Sequence, residues 1–419
     1  MEKKIVDFFD ISYEGAGVGK LDGQIIFVPK VLIGEKAEVL IVKKKSNFLL
    51  GRVENVLKPS EERTESFCPY YGICGGCDFQ HCDYSHEIFL KKQILTKELK
   101  KVGFDGKIDV VLSDKRKNYR NKLKLEVKDN KIGYFRQKSH SFFEIKGCPI
   151  ASEKINSVIP TIKQFLTSNN LKGLNNVYIK HVGDLLGICF LFGKNVVKNT
   201  QKLKKLEIFG ENSVYFAYGD VLESNKTKIF CVYGKPKLTQ KLDGFDIEID
   251  VSSFNQINDD VAEKLYDYVT EKTVNKRVVN AYSGQGFLTY LISQKAKFVF
   301  GIEYQYSSHE SAEKLKDLSE EYKFENVCGR VEDCLSTVLL RDKIDLIVLD
   351  PAREGCQKTV LDAILSSGIN QIVYVSCNFA TLVRDVKILQ EKYAVENVRM
   401  FDMFPCTANM ETVVTLSKI

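Results

Sequence analysis

The chain has 419 residues, 44% of them hydrophobic and 28% charged, with a formal net charge of +6. That length calls for two or three domains, the composition excludes a disordered or fibrous chain, and the modest positive charge permits a polyanion partner without demanding one. No apolar run is long enough to cross a bilayer, and the start, MEKKIVDFFDISYEG, has no apolar signal core. The chain is therefore expected in the cytoplasm, with no membrane partner. There its 12 cysteines serve as metal ligands, nucleophiles or core residues rather than disulfides.

Residues 1–57 alternate apolar and polar positions between glycine turns at Gly15, Gly17, Gly19, Gly23 and Gly34. The pattern predicts about five short strands. A small β-barrel edged by Lys30, Lys36, Lys43, Lys44, Lys45 and Arg52 has a shape suited to nucleic acid. The stretch from Glu14 to Ile41 resembles the TRAM domain of RNA-modifying enzymes.

Pro59 to Arg63 reads as a linker. SFCPYYGICGGCDFQHCDY follows, with Cys68, Cys74 and Cys77 in C-x5-C-x2-C spacing around Gly75 and Gly76. Thiolates so spaced bind zinc or an iron–sulfur cluster. The fourth ligand is open between Cys82, near in sequence, and Cys148, which precedes a proline. Apolar spacing predicts a helix from Tyr84 to Val102, and residues 108–245 read as β-rich with a helix near 152–168. Lys115, Arg116, Lys117, Arg120, Lys122, Lys124, Arg136 and Lys138 are interleaved with Tyr119, Tyr134 and Phe135. Basic groups there would hold phosphates and aromatics would stack on unpaired bases.

From 246 strands alternate with helices: RVVNA, KFVFGIE, a helix at 309–322, a strand near 325–331, KIDLIVLDPA and IVYVSCN. That order predicts a doubly wound parallel sheet. VENVRMFDMFP and METVVTLSKI close it as a pair of terminal strands. Gly284-Gln285-Gly286 lets a ligand approach backbone at a helix start, and Glu303 at the end of the second strand can accept from ribose hydroxyls. This fits NAD as well as S-adenosylmethionine. Thr289 stands where a third glycine would be, which leans away from a dinucleotide pyrophosphate.

Asp350 ends the fourth strand and Glu411 precedes the last. Cys377 ends IVYVSCN and lies beside the next helix start, a position expected to favour its thiolate. Two carboxylates and a thiol on one sheet edge suit a nucleophile with a general base.

With these pieces in place, the C-terminal half resembles the RNA uracil-5-methyltransferases that use S-adenosylmethionine. The matching stretches are SSFNQIN, NAYSGQG, DPAREG, VSCNFATLVRD and DMFPCTANMETVVTL, and with the barrel and the cysteines the likeness covers nearly the whole chain. CPYYGICGGCDFQH is similar to members that carry a [4Fe-4S] cluster and methylate 23S rRNA. The resemblance implies Cys377 as nucleophile and Glu411 as general base. It implies Gln256, Tyr282, Glu303 and Asp350 at the cofactor, with Gln256 and Asp350 also near the uracil, and Cys68, Cys74, Cys77 and Cys148 on the cluster. Asn280, Ser283, Phe379, Cys406 and Asn409 depart from the family pattern.

The expectation is thus a doubly wound Rossmann-like methyltransferase domain at 246–419, a TRAM/OB-like RNA-binding barrel at 1–57 and a β-rich central iron–sulfur domain at 58–245. Its partner is RNA, foremost 23S rRNA, and no obligate protein partner is evident. The alternatives are the same chemistry on tRNA, or a non-catalytic RNA-binding or assembly protein.

Overall fold

Alternating burial along the first strands sets the N-terminal unit. In the computed structural model, residues 2–137, 139–194, 204–224, 226–242, 245–317 and 323–419 are described. Lys138 of the basic stretch, and 318–322 of the helix expected at 309–322, lie outside them. Strands β1 (Lys3–Ile11), β2 (Ala16–Leu21), β3 (Gln24–Pro29), β4 (Lys36–Lys44) and β5 (Phe48–Lys58) close a barrel in the order β1-β2-β3-β5-β4. Val6, Phe8, Ile26, Val28, Val39 and Leu49 fill it. A Cβ on Gly17 would run into Val31 and one on Gly51 into Val39, so glycine is what lets these walls approach.

Next come α1 (Tyr84–Lys100) and β6 (Ile108–Val111). Asp83 caps α1 by accepting from the His86 N–H at 2.7 Å. The central sheet contains β7 (Lys122–Lys128), β8 (Lys131–Phe135), β9 (Phe142–Glu144), β10 (Leu174–Val182), β11 (Leu185–Phe192), β12 (Ser213–Tyr218) and β13 (Lys228–Tyr233), in the order β13-β12-β11-β10-β7-β8-β9. Helix α2 (Glu153–Ser168) buries Ile155, Ile159, Ile162 and Phe165 against it. A two-stranded ribbon, β14 (Leu238–Leu242) and β15 (Phe245–Ile249), leads onward.

The C-terminal unit alternates as expected: α3 (Asp259–Glu271), β16 (Arg277–Ala281), α4 (Phe287–Ser293), β17 (Phe298–Glu303), α5 (Tyr306–Asp317), β18 (Phe324–Cys328), α6 (Val331–Arg341), β19 (Leu346–Leu349), α7 (Lys358–Ser367), β20 (Gln371–Ser376), α8 (Phe379–Leu389), β21 (Tyr393–Phe401) and β22 (Glu411–Lys418). The sheet runs β18-β17-β16-β19-β20-β22-β21-β6. Its first five strands are parallel, and β22 is antiparallel to both β20 and β21. Leu346 to Leu349 are all buried, as a strand covered by helices on both faces requires. One face packs α3 and α4, the other α6, α7 and α8.

Two elements depart from the expected division at 245. Strand β6 pairs in parallel with β21 at the sheet edge. Helix α1 buries Leu90, Ile94, Leu95 and Leu99 in the core of the same sheet. Residues 84–111 therefore pack with the C-terminal unit, although sequence position puts them in the central segment. A four-residue strand with a distant partner carries no local sign of where it pairs.

Candidate functional site

The strand order reverses between β16 and β19, and ligands of open α/β sheets bind at such a switch point. The turn after β16 carries Tyr282 at φ +63°, Gly284 at +56° and Gly286 at +83°. A Cβ on Gly286 would press on Ala312, which ties the turn closely to α5. This turn and the 254–256 loop line one cleft with Gln256, Tyr266, Tyr282 and Asp350. Glu303 sits beside it: its Oε2 accepts from the Gly284 N–H at 3.0 Å and its Oε1 from the Gln305 N–H at 2.7 Å. Burial raises its carboxyl while these N–H groups lower it. The structure places Gln256, Tyr282 and Asp350 on one cleft, with Glu303 joined to it through the Gly284 N–H.

Two residues that sequence reasoning did not single out as ligands complete the cleft. Asn280 Oδ1 and Gln285 Oε1 are buried without a hydrogen-bond partner. Asn280 donates to the Thr289 hydroxyl at 2.9 Å, and Gln285 to the Phe254 carbonyl at 3.0 Å, leaving each carbonyl oxygen open. Buried acceptors left open are costly unless a ligand donor meets them.

Cys377 lies at a second cavity of about 300 Å³ with Asp78, Arg353, Asn378, Phe379 and Asn409. Tyr13 and Glu14 of the barrel also line it, and Tyr13 meets the Phe379 ring edge-on at 6.3 Å. Phe379 therefore gives the barrel an aromatic seat beside the cysteine. Asn378 caps α8, its side chain accepting from the Ala380 N–H at 3.1 Å.

Burial and the charges of Glu411 and Asp350 push the Cys377 thiol up to about 11, with Arg353 opposing them. The expectation that the helix start favours the thiolate is not met, because burial and two carboxylates outweigh it. Glu411 opens β22, 2% exposed, and its carboxyl is pushed well up by burial and then Asp350. Burial raises Asp350 likewise. Arg353 is the residue sequence reasoning missed, a cation acting on both Cys377 and Glu411. Its sign was the basic position following Asp350 in DPAREG.

Cys68, Cys74, Cys77 and Cys148 line a third cavity of about 190 Å³, with Arg120 and Lys124 on its wall. Gly75 turns the chain at φ +70°. Asn156 fixes Cys148 by accepting from its N–H at 2.8 Å and donating to its carbonyl at 3.0 Å. Burial raises the Cys68, Cys77 and Cys148 thiols. Cys82 is buried apart from them, its thiol directed at the Phe79 carbonyl at 3.4 Å. Among the described residues, no three His, Cys, Asp or Glu side chains are grouped so as to hold a single metal ion.

The basic stretch is less of a surface than its sequence suggests. Arg116 is taken up by Glu87 at 2.8 Å and by the carbonyls of Phe79 and Cys82. Tyr119 is buried, bonding the Pro405 carbonyl at 3.0 Å. Lys122 pairs with Glu223 at 2.5 Å. On the barrel, Lys30 donates to the Gly72 carbonyl at 3.0 Å, while Lys43, Lys44 and Lys45 remain exposed. No described helix is long and apolar enough to cross a membrane.

The sheet order, with its cleft at the switch point and an N-terminal five-stranded barrel, defines the class: a methyltransferase fold joined to a TRAM-type domain. Residues 83–419 match the family model for tRNA (uracil-5-)-methyltransferase, and residues 3–53 match the TRAM domain. The chain belongs to this family of RNA uracil-5-methyltransferases. It is 32% identical to an uncharacterised RNA methyltransferase of Staphylococcus aureus (strain N315), covering 96% of this chain and 95% of that one. It is 31% identical to another from Clostridium acetobutylicum, covering 98% and 96%. The crystal structure of Pyrococcus abyssi tRNA (uracil-54, C5)-methyltransferase in complex with S-adenosyl-L-homocysteine shares the fold. Its TM-score is 0.78 at 22% identity, over 99% of this chain and 100% of that chain.

Proposed function

We propose that this enzyme methylates C5 of a uridine in 23S rRNA, taking the methyl group from S-adenosylmethionine. The observation that carries the reading is Cys377 beside Arg353 at one cavity, with Glu411 and Asp350 near enough for their charges to act on the thiol and Asp350 lining the glycine-turn cleft. A flipped-out base in the first would face a methyl donor in the second. Gln256, Tyr282, Glu303 and Asp350 hold the donor. The open acceptors of Asn280 and Gln285 suit its ammonium group, and Glu303 has lone pairs left for ribose hydroxyls.

Uracil C5 is a poor nucleophile. Cys377 gives its proton to solvent at the cavity mouth, Arg353 stabilises the thiolate, and its Sγ adds to C6. The electron pair displaced from the C5–C6 bond makes an enolate, rich at C5. S-adenosylmethionine, when bound, supplies the electrophilic methyl group that C5 takes. Glu411 removes the C5 proton, the C5–C6 bond re-forms and the C6–S bond breaks. Cys377→Ala should end methyl transfer while the donor and RNA still bind. Glu411→Gln should leave methylated RNA attached to Cys377 on a denaturing gel. An adduct that maps to Cys356 or Cys406 refutes the assignment.

Cys68, Cys74, Cys77 and Cys148 would hold a [4Fe-4S] cluster. All four line one cavity, and Arg120 and Lys124 on its wall would offset the net negative charge of a thiolate-bound cluster. Brown, iron-containing protein from anaerobic purification is expected. Loss of iron in Cys82→Ser but not in Cys148→Ser would reject this ligand set.

The cysteine set favours 23S rRNA. The family model's own description keeps tRNA as the second reading. Methyl transfer to each purified RNA, in the cytoplasmic salt range, separates them. RNA is held mostly through phosphates by the barrel and the remaining basic residues, so affinity should fall steeply with salt.

A further inference from the structure

We propose that Asp78 is a positioning residue that holds the loop delivering Glu411 and so governs removal of the C5 proton. The inference rests on the reading of Glu411 as the base. Asp78 directly follows Cys77, which lines the four-cysteine cavity, yet it lines the Cys377 cavity itself. The segment grips the 402–410 loop at three points. The N–H groups of Asp78 and Phe79 donate to the Cys406 carbonyl at 2.8 and 3.0 Å. The Asp78 carboxylate, through Oδ2, accepts from the Ala408 N–H at 2.9 Å.

The other half of this loop is held by different residues. Glu87 accepts from the Cys406 N–H at 2.6 Å, Lys91 donates to the Phe404 carbonyl at 3.1 Å and the Tyr119 hydroxyl bonds the Pro405 carbonyl at 3.0 Å. Cys406 sits at φ +70°, a strained position that persists only where surrounding contacts enforce it. Beyond Cys406, the carboxylate of Asp78 is the side-chain grip that comes from outside the loop among the described residues. Ala408 is buried, so removing that carboxylate takes away the one protein acceptor its N–H has among the described contacts. The segment beside the cysteine cavity is thereby built into the wall of the reacting site.

The test follows two labels on one RNA: tritium at uridine C5, released on proton removal, and methyl carbon from S-adenosylmethionine. With Asp78→Ala, the first methyl transfer should proceed near the normal rate. Tritium release should lag about tenfold, the effect of one lost hydrogen bond, and methylated RNA should accumulate on Cys377. Asp78→Asn keeps an oxygen for the Ala408 N–H and should restore release. Iron content should be unchanged in both. Ala408→Pro removes the same bond from its other side and should show the same lag. Equal slowing of both labels, or no lag in Asp78→Ala and Ala408→Pro, overturns the inference. Glu411→Gln is the control. If it traps methylated RNA and Asp78→Ala does not, only this inference falls. If it traps nothing, the reading of Glu411 falls first and takes this inference with it.

Discussion

Two loops deliver site residues, and they are held in opposite ways. The 250–258 loop brings Gln256 to the glycine-turn cleft. It is gripped from the central sheet by Asn121, which donates to the Gln256 carbonyl at 2.8 Å, and by Lys180. The Lys180 ammonium is 2% exposed and donates to the carbonyls of Asp250 and Ser253 and to the Ser253 hydroxyl at 2.9–3.0 Å. No carboxylate pairs with it among the described contacts. The 402–410 loop is held by a balanced cluster. Lys91, fully buried, pairs with Asp402 at 2.6 Å and Glu87 at 2.9 Å, and Arg116 bonds the second Glu87 oxygen. The first design leaves a buried cation sensitive to pH, while the second locks charge in place by mutual pairing.

The largest effect should come from breaking the balanced cluster. Lys91→Met strands Asp402 and Glu87 in the core and should cost about 3–5 kcal/mol, read as a large fall in melting temperature. A drop no bigger than that of an exposed lysine variant would show that the cluster does not lock the loop.

Lys180→Met should cost less, about 1–3 kcal/mol, by leaving two carbonyls unpaired. Its signature is pH dependence. Burial pulls the Lys180 ammonium down to about 7, with Lys122 acting the same way and Asp250 and Glu223 opposing. An unfolded lysine titrates near 10.4, so between about pH 7 and 10 the unfolded chain holds a proton that the folded chain has released. Stability from this site therefore rises with pH in that window, and the methionine variant, which cannot titrate, lacks the rise. Denaturant curves at pH 7 and 9 compare the two, and a parallel change in both proteins would remove the buried-cation account.

The smallest effect concerns the site between the loops. Glu411 has its folded carboxyl raised above the unfolded value, so its charged form is destabilising once pH exceeds about 4.3. Glu411→Gln should raise the melting temperature at pH 8 by a few degrees and leave it nearly unchanged at pH 4. On the proposed mechanism, wild-type turnover should rise with pH, since Glu411 has to lose its proton to act as base and the Cys377 thiol is also held high. A flat profile would separate these groups from the rate-limiting step.

What the sequence made legible was local. Alternation and glycine turns announced the barrel, and buried runs ending in Glu303, Asp350 and Cys377 announced the sheet and the edge that carries these residues. What it hid depends on distant partners. Arg116 and Tyr119 read as RNA contacts because Glu87 and Pro405, which occupy them, lie in other elements. Tyr13, Glu14 and Asp78 reach the Cys377 cavity only because the barrel and the cysteine segment fold back over α8. The thiol's burial follows from the same packing, which a helix-start argument does not include.

The Lys91–Asp402 pair also bears on how the protein is made. Its members are 311 positions apart, and a ribosome adding about 5–20 residues per second needs roughly 15–60 s to cover that distance. Through that interval Lys91 has Glu87 but not Asp402, and the apolar face of α1 lacks the C-terminal part of its cluster. A nascent chain stalled before residue 402 should show α1 open to protease, and one extended past residue 419 and clear of the exit tunnel should protect it. The folding of α1 is thus tied to a loop around Asp402 that is translated long after it.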